Sequence, residues 1–180
     1  MPVPFRRPGV PADELHRVYR SHVSAVYALF AYSVSADVAE DLTAATFERV
    51  VRHWSRFDPS RSSERTWILA IARNQLTDHL RQRRFRIGPS LDEHPELADS
   101  AALTHDPADR PAAVETLKGW LGRLGPRERE VVALRYGADL STADIARMLG
   151  LSDANVLQTC SRALRRLRHE LEAEKLRDSA

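Results

Sequence analysis

Apolar residues recur three and four positions apart along most of the chain, the spacing that gathers them on one face of a helix. Leu15, Val18 and Tyr19, then His22, Val26, Leu29 and Phe30, predict a first helix from Ala12 to about Tyr32. Asp13 and Glu14 in its first turn suit the helix dipole. Ser35 stands where an N-cap would open a second helix carrying Val38, Leu42, Phe47, Val50 and Val51. That helix stops before Phe57-Asp58-Pro59, because proline disfavours helix in the residue before it. After the polar run Ser60-Arg61-Ser62-Ser63, a third helix begins at Glu64 and continues to Phe85, ahead of Gly88-Pro89. Its wheel puts Ile68, Leu69, Ala72, Leu76 and Leu80 on a core face. Trp67 and Ile71 fall on a different face, beside Asn74, Asp78 and Arg81.

The pattern resumes at Ala112, with Val114, Leu117, Trp120 (or Leu121) and Leu124 inward. Gly125-Pro126 then places proline at the first position of a helix from Arg127 to Tyr136, which turns Val131, Val132 and Leu134 to the core. Gly137 ends it. From Leu140 to Val156 the chain reads as two short helices about a tight turn. Ser141 and Asp144 stand in capping-box register, and Ile145 and Leu149 form a buried stripe. Ala146 is small where the second helix crosses, and Gly150 supplies the positive φ of the turn. Ser152 caps the second helix and Val156 is its first inward residue. An αα-hairpin of a bundle could share parts of this pattern. The caps, the glycine and the basic helix that follows favour a DNA-reading helix-turn-helix over residues 141–165. Val156, Cys160, Leu164, Leu167 and Leu171 make the inward stripe of its second helix. Opposite lie Asn155, Gln158, Ser161, Arg162, Arg165 and His169. Amides near the N-terminus suit adenine edges, and arginines suit guanine or phosphate.

Charge divides the chain more sharply than its net value of +2 suggests. Residues 1–90 hold 14 lysines and arginines against 9 acids, residues 91–112 hold 1 against 6, and residues 113–180 hold 12 against 10. The acidic stretch also carries Pro89, Pro95, Pro107 and Pro111 at or near it, a composition suited to a linker rather than a core. The prediction is an all-α chain of two small helical domains joined by an acidic, proline-containing linker. Its parts are a tail over 1–11, a first domain over 12–88, a linker over 89–111, a second domain over 112–175 and a tail over 176–180. No apolar run is long enough to span a membrane, and the first residues do not read as a secretory signal. A cytoplasmic protein without membrane insertion is expected. The single cysteine, Cys160, excludes an internal disulfide and reads as a small core residue. The seven histidines show no metal spacing, and no phosphate-cradling or nucleophile motif is present. Neither cofactor nor enzymatic activity is expected. For Trp67 two readings stand: a stacking platform for unstacked bases, or a cover on a neighbouring helix.

Five stretches resemble a known family. Ala39-Glu-Asp-Leu-Thr-Ala-Ala-Thr-Phe-Glu-Arg-Val50, then Phe57-Asp-Pro, then Thr66-Trp-Ile-Leu-Ala-Ile-Ala-Arg-Asn-Gln-Leu-Thr-Asp-His-Leu-Arg-Gln-Arg, resemble region two of the extracytoplasmic-function (ECF) sigma factors. Leu124-Gly-Pro-Arg-Glu-Arg-Glu-Val-Val-Ala-Leu-Arg-Tyr136 and the helix-turn-helix resemble region four. The resemblance implies a subunit that binds core RNA polymerase, recognises promoter DNA and initiates transcription, under the control of an anti-sigma factor. It implies polymerase contacts at Asp41, Leu42 and Phe47. For the minus-ten element it implies Asp58, Ser60, Arg61, Trp67, Asn74 and Asp78, with Arg81, Arg83 and Arg84 on phosphate. For the minus-35 element it implies Asn155, Gln158, Ser161, Arg162 and Arg165. The acidic linker, with Asp92, Glu93, Glu96 and Asp99, would thread toward the polymerase active centre or serve as a solvated tether. The chain departs from the family's usual Gln-Glu at Ala44-Ala45 and from Lys-Ser-Arg at Leu157-Gln158-Thr159. The alternatives are a stand-alone helix-turn-helix regulator and a sigma-like decoy that binds an anti-sigma factor.

Overall fold

A computed structural model describes residues 11–87 and 119–178, and among them every regular element is helical. The predicted N-terminal tail, the linker and the inward positions Val114 and Leu117 lie outside the described residues. Three helices make the first module: α1 (Ala12–Ala31), α2 (Ala36–His53) followed by a 3₁₀ turn at Trp54–Arg56, and α3 (Glu64–Ile87). The second opens with a helical turn at residues 119–122. It continues through α4 (Pro126–Val132), a π-helical segment (Ala133–Gly137), α5 (Thr142–Leu149) and α6 (Asp153–Asp178).

The core of the first module follows the predicted stripes, with Val18, Val26, Leu29 and Phe30 of α1 fully buried. They meet Ile68, Leu69, Ala72 and Leu76 of α3. On α2 the buried side is Ala39, Thr43, Thr46, Phe47 and Val50, while Leu42 is half-buried and Val51 exposed. The two threonines fit because each hydroxyl donates to a carbonyl one turn back: Thr43 to Ala39 O at 2.6 Å and Thr46 to Leu42 O at 2.7 Å. Gln75 of α3 donates to Thr46 Oγ1 at 2.9 Å, so this polar contact between helices is satisfied.

Two helix starts differ in mechanism from their sequence signals. Ser35 occupies the N-cap of α2 with extended backbone, yet its side chain makes no capping bond. At α3 the cap is Ser63, whose hydroxyl accepts from Thr66 N at 3.1 Å. The expected helix from Arg127 to Tyr136 divides, and the i→i+5 winding of its second part ends at Gly137. Gly137 ends the helix as expected, without a left-handed backbone; the positive φ falls at Asp139 (50°).

Arg129 is a further departure from the sequence reading. In a run of charged residues it is nevertheless 4% exposed. Its Nε donates to Leu121 O at 2.9 Å, and Nη2 to Gly122 O at 3.2 Å and Leu124 O at 3.0 Å. It thus bonds carbonyls at and just after the C-terminal end of the 119–122 turn, one of which, Leu121 O, also accepts from Leu124 N at 3.1 Å. Leu121, rather than the half-buried Trp120, is the inward residue there.

The two modules touch. One cluster of buried side chains contains Leu29 and Phe30 from the first and Val131, Leu134 and Ile145 from the second.

Candidate nucleic-acid interface

Helix α3 carries a polar face that its own periodicity builds. Asn74, Asp78 and Arg81 are seven, eleven and fourteen positions after Trp67. At 100° per residue they fall within roughly 60° of one another, along about 21 Å of helix. Asn74, Asp78 and Arg81 are exposed, and Trp67 is half-buried. Arg83 is half-buried on the last turns of α3, where Arg84 also falls. No β-branched run or glycine interrupts the helix, so these side chains keep fixed spacing.

Trp67 belongs to an aromatic cluster. Its ring centroid lies 5.9 Å from that of Trp54, edge to face, and 5.4 Å from that of Phe57. Trp54 and Phe57 are 5.5 Å apart. The cluster ties α3 to the end of α2 while leaving Trp67 partly open, so packing and exposure coexist in one indole. Trp54 was not among the predicted site residues; the density of aromatics at 54, 57 and 67 was its signal.

The loop before α3 is self-organised. Asp58 Oδ1 accepts from Ser60 N at 2.9 Å and from Ser60 Oγ at 2.7 Å. Those bonds, side chain first, hold the Asp58 carboxyl below the usual aspartate range. Asp58 and Ser60 therefore shape the turn, and Arg61 is exposed on it. Behind this loop Glu64 accepts from Arg17 Nη2 at 2.8 Å and pairs with His22 Nε2 at 2.7 Å, fastening the N-terminus of α3 to α1. The Arg17 bond holds the Glu64 carboxyl below the ordinary glutamate range.

In the second module, α5 and α6 form the helix-turn-helix as the sequence predicted. Ser141 Oγ accepts from Asp144 N at 3.1 Å, Gly150 adopts φ 65° and ψ 37°, and Ser152 Oγ accepts from Asn155 N at 3.2 Å. Ile145, Ala146, Leu149 and Val156 are buried. Asn155, Gln158, Ser161, Arg162 and Arg165 are all exposed and share an arc of about 120° on α6, over roughly 15 Å. The inward stripe differs at one place: Leu164 is 43% exposed and Ala163 takes the core position. Steps of four drift 40° each, so after Val156 and Cys160 the stripe returns at position 163. Thr159 is also buried. Burial pushes the Cys160 thiol up, which suits a core residue and not a nucleophile.

The predicted polymerase positions lie on α2. Asp41 is exposed and Leu42 half-buried, whereas Phe47 is 6% exposed and packs edge to face on Tyr19 at 4.8 Å. Phe47, Tyr19, Ala44 and Val51 line an apolar groove between α1 and α2, with Glu40 and Glu48 also along it. No helix among the described residues is long and apolar enough to cross a membrane.

These two surfaces, an aromatic-polar helix face and a helix-turn-helix in one chain, define a bipartite DNA-binding protein. Residues 18–86 match the Sigma-70 region 2 family and residues 120–169 match Sigma-70, region 4. The RNA polymerase sigma-E factor of Streptomyces coelicolor is 34% identical over 77% of this chain and 74% of its own length. ECF RNA polymerase sigma factor SigC of Mycobacterium tuberculosis is likewise 34% identical, over 77% and 72%. ECF RNA polymerase sigma factor BldN of S. coelicolor is 32% identical over 87% of this chain, which spans only 60% of that relative's length. Among solved structures, CnrH in complex with the cytosolic domain of CnrY shares the fold at TM-score 0.66 and 21% identity, covering 91% of each chain. The chain belongs to the ECF group of the sigma-70 family of RNA polymerase sigma factors.

Proposed function

We propose that this protein is a dissociable promoter-recognition subunit of RNA polymerase, working in the cytoplasm without catalytic chemistry of its own. Residues 12–88 act as the polymerase-binding and minus-ten module, and residues 112–175 as the minus-35 module. The observation that carries this reading is the pair of reading faces: the Trp67–Arg81 face of α3 and the Asn155–Arg165 arc of α6. A regulator that only binds duplex needs the second and has no use for the first.

At the minus-ten element, extruding a base costs a few kcal/mol. Stacking on an aromatic returns about 1–3 kcal/mol per base, and the Asn74 amide adds a hydrogen-bonding edge. Arg81, Arg83 and Arg84 serve the backbone at the C-terminal end of α3, and Arg61 serves it from the loop before the other end of that helix. At the minus-35 element Asn155 and Gln158 read base edges, and Ser161, Arg162 and Arg165 hold base or phosphate. Core polymerase docks on α2 through Asp41 and Leu42, with Phe47 forming the floor of the groove. Control by an anti-sigma factor fits the likeness to the sigma factor RpoE of Bartonella quintana, solved in complex with the anti-sigma factor NepR (TM-score 0.66, 24% identity, covering 89% of this chain). Run-off transcription with core polymerase, with and without this protein, tests the reading. Promoter-dependent transcripts are expected, and none from a genomic library would sink it.

A further inference from the structure

Glu64, the first residue of α3, is held by two side chains of α1, and all three residues lie outside the predicted DNA contacts. Arg17 Nη1 donates to Glu64 Oε1 at 3.2 Å and Nη2 to Oε2 at 2.8 Å, so the guanidinium grips both oxygens. His22 Nε2 meets Oε1 at 2.7 Å, and as an ionised carboxylate can only accept, the ring nitrogen donates. The other ring nitrogen, Nδ1, is buried and has no hydrogen-bond partner among the described residues. The ring therefore has one polar contact to make, and makes it to Glu64. The Arg17 side chain is 54% exposed, while those of His22 and Glu64 are 12% and 20% exposed. Arg17 brings charge, and His22 supplies a fixing point that water hardly reaches.

Glu64 precedes Trp67 by three positions, so the two stand about 60° apart, one turn along the helix. Trp67 N donates to Ser63 O at 3.0 Å, and Ser63 Oγ accepts from Thr66 N at 3.1 Å. These bonds belong to the first turn of α3, the part of a helix that frays most readily. The loop before it closes on itself, with Ser60 N on Asp58 Oδ1 and Arg61 N on Asp58 O at 3.1 Å. Two anchors reach the turn from outside. The contacts of Trp54 and Phe57 with Trp67 tie it to the end of α2, and the Glu64 carboxylate ties it to α1. Anchors on two helices fix orientation where one would leave a hinge.

We propose that Glu64, gripped by Arg17 and His22, is a positioning residue for promoter opening: it holds the first turn of α3 so that the Trp67 ring is set before DNA arrives. A stacking platform already in place spares its ordering cost at the moment a base leaves the duplex. The inference rests on the sigma-factor reading, in which Trp67 receives that base.

Two measurements on the full chain test it. Hydrogen exchange, read by mass spectrometry on peptides covering residues 58–67, reports the order of the turn without polymerase. Permanganate reactivity of unpaired thymines, with core polymerase and a promoter fragment taken from a genomic library, reports the rate of opening. Glu64→Ala should speed exchange and slow opening by roughly tenfold each, the scale of one charge-assisted hydrogen bond, with polymerase affinity unchanged. Arg17→Ala leaves the His22 bond and should change each by roughly threefold, as an exposed pair does. Glu64→Gln keeps a carbonyl acceptor and should fall between wild type and Glu64→Ala. A tie unconnected with Trp67 would add its loss to that of Trp67→Ala. A positioning tie would not, so Glu64→Ala with Trp67→Ala should open no more slowly than Trp67→Ala alone. Additive losses would overturn the proposal, as would unchanged exchange in Glu64→Ala or an equal loss of polymerase affinity. If Glu64→Ala does not fold, Arg17→Ala and its combination with Trp67→Ala decide. A wild-type chain that opens no promoter refutes the promoter reading itself, whereas normal opening with additive losses refutes the positioning role alone.

Discussion

Replacing Arg129 should unfasten the second module more than any surface change of equal size. The guanidinium is 4% exposed and holds three carbonyls, those of Leu121, Gly122 and Leu124. A hydrogen bond with a charged donor contributes about 1.5–3 kcal/mol, and a buried acceptor left without a partner costs about 1–3 kcal/mol. The three bonds share one planar group and are not additive, and water entering the vacated space would recover part of the loss. Arg129→Ala should therefore cost about 3 kcal/mol, the upper end of the range for one charged hydrogen bond, as three bonds that act as one unit would give. Arg129→Lys keeps the charge but cannot reproduce the fork, and should cost about half as much. The consequence reaches DNA reading, because the same region braces α6: Arg123 pairs with Glu170, and Arg166 Nη1 bonds Glu128 Oε2 at 3.2 Å and Arg123 O at 3.3 Å. Urea unfolding followed by circular dichroism measures the effect. With a slope near 2 kcal/mol/M, the midpoint should move down by about 1.5 M. A shift in Arg129→Ala worth less than about 0.5 kcal/mol would put it among ordinary surface substitutions and refute the argument.

Gly150→Ala meets no atom within 4 Å, so its cost comes from φ 65° alone: about 1 kcal/mol in thermal unfolding, with Gly150→Asn milder. The Glu64 carboxyl is held below its ordinary value of 4.5, so its contribution to stability is present above that value and is lost as pH falls through the lowered one. The stability gap between wild type and Glu64→Gln should therefore shrink on acidification below about pH 4.5, and a gap constant down to pH 3 would remove Glu64 from the argument. Trp67→Ala should slow promoter opening, read by permanganate reactivity of unpaired thymines, more than it weakens polymerase binding; equal losses would assign Trp67 to packing with Trp54 and Phe57. Gln158→Ala should alter minus-35 preference in a randomised-promoter selection, and an unchanged profile would strike Gln158 from the reading arc.

Much of the fold was legible because helical periodicity is a local property. Ile68, Leu69, Ala72 and Leu76 announce their burial by spacing, and Ser141, Asp144, Gly150 and Ser152 announce caps and a turn that need only their own neighbours. The two exposed helix faces were legible for the same reason, since a helix fixes which side chains share a side. What could not be read depends on residues distant in sequence. Arg129 looks like surface charge until the carbonyls of Leu121 and Leu124 turn toward it. Phe47 is only 6% exposed because Tyr19 of another helix packs on it edge to face. Leu164 misses the core because a strict step of four drifts around the helix, and packing selects Ala163.

The sequence alone determined two helical modules, a helix-turn-helix with its caps, and an aromatic-polar face on α3. Each is set by interactions within a few residues. Only the tertiary structure decided that the modules meet, that Tyr32 packs against both buried clusters, and that Gly137 lies against Tyr32 and Ala28. Contacts between residues a hundred positions apart are chosen by shape and by which polar groups remain to be paired. No local pattern in the chain encodes them.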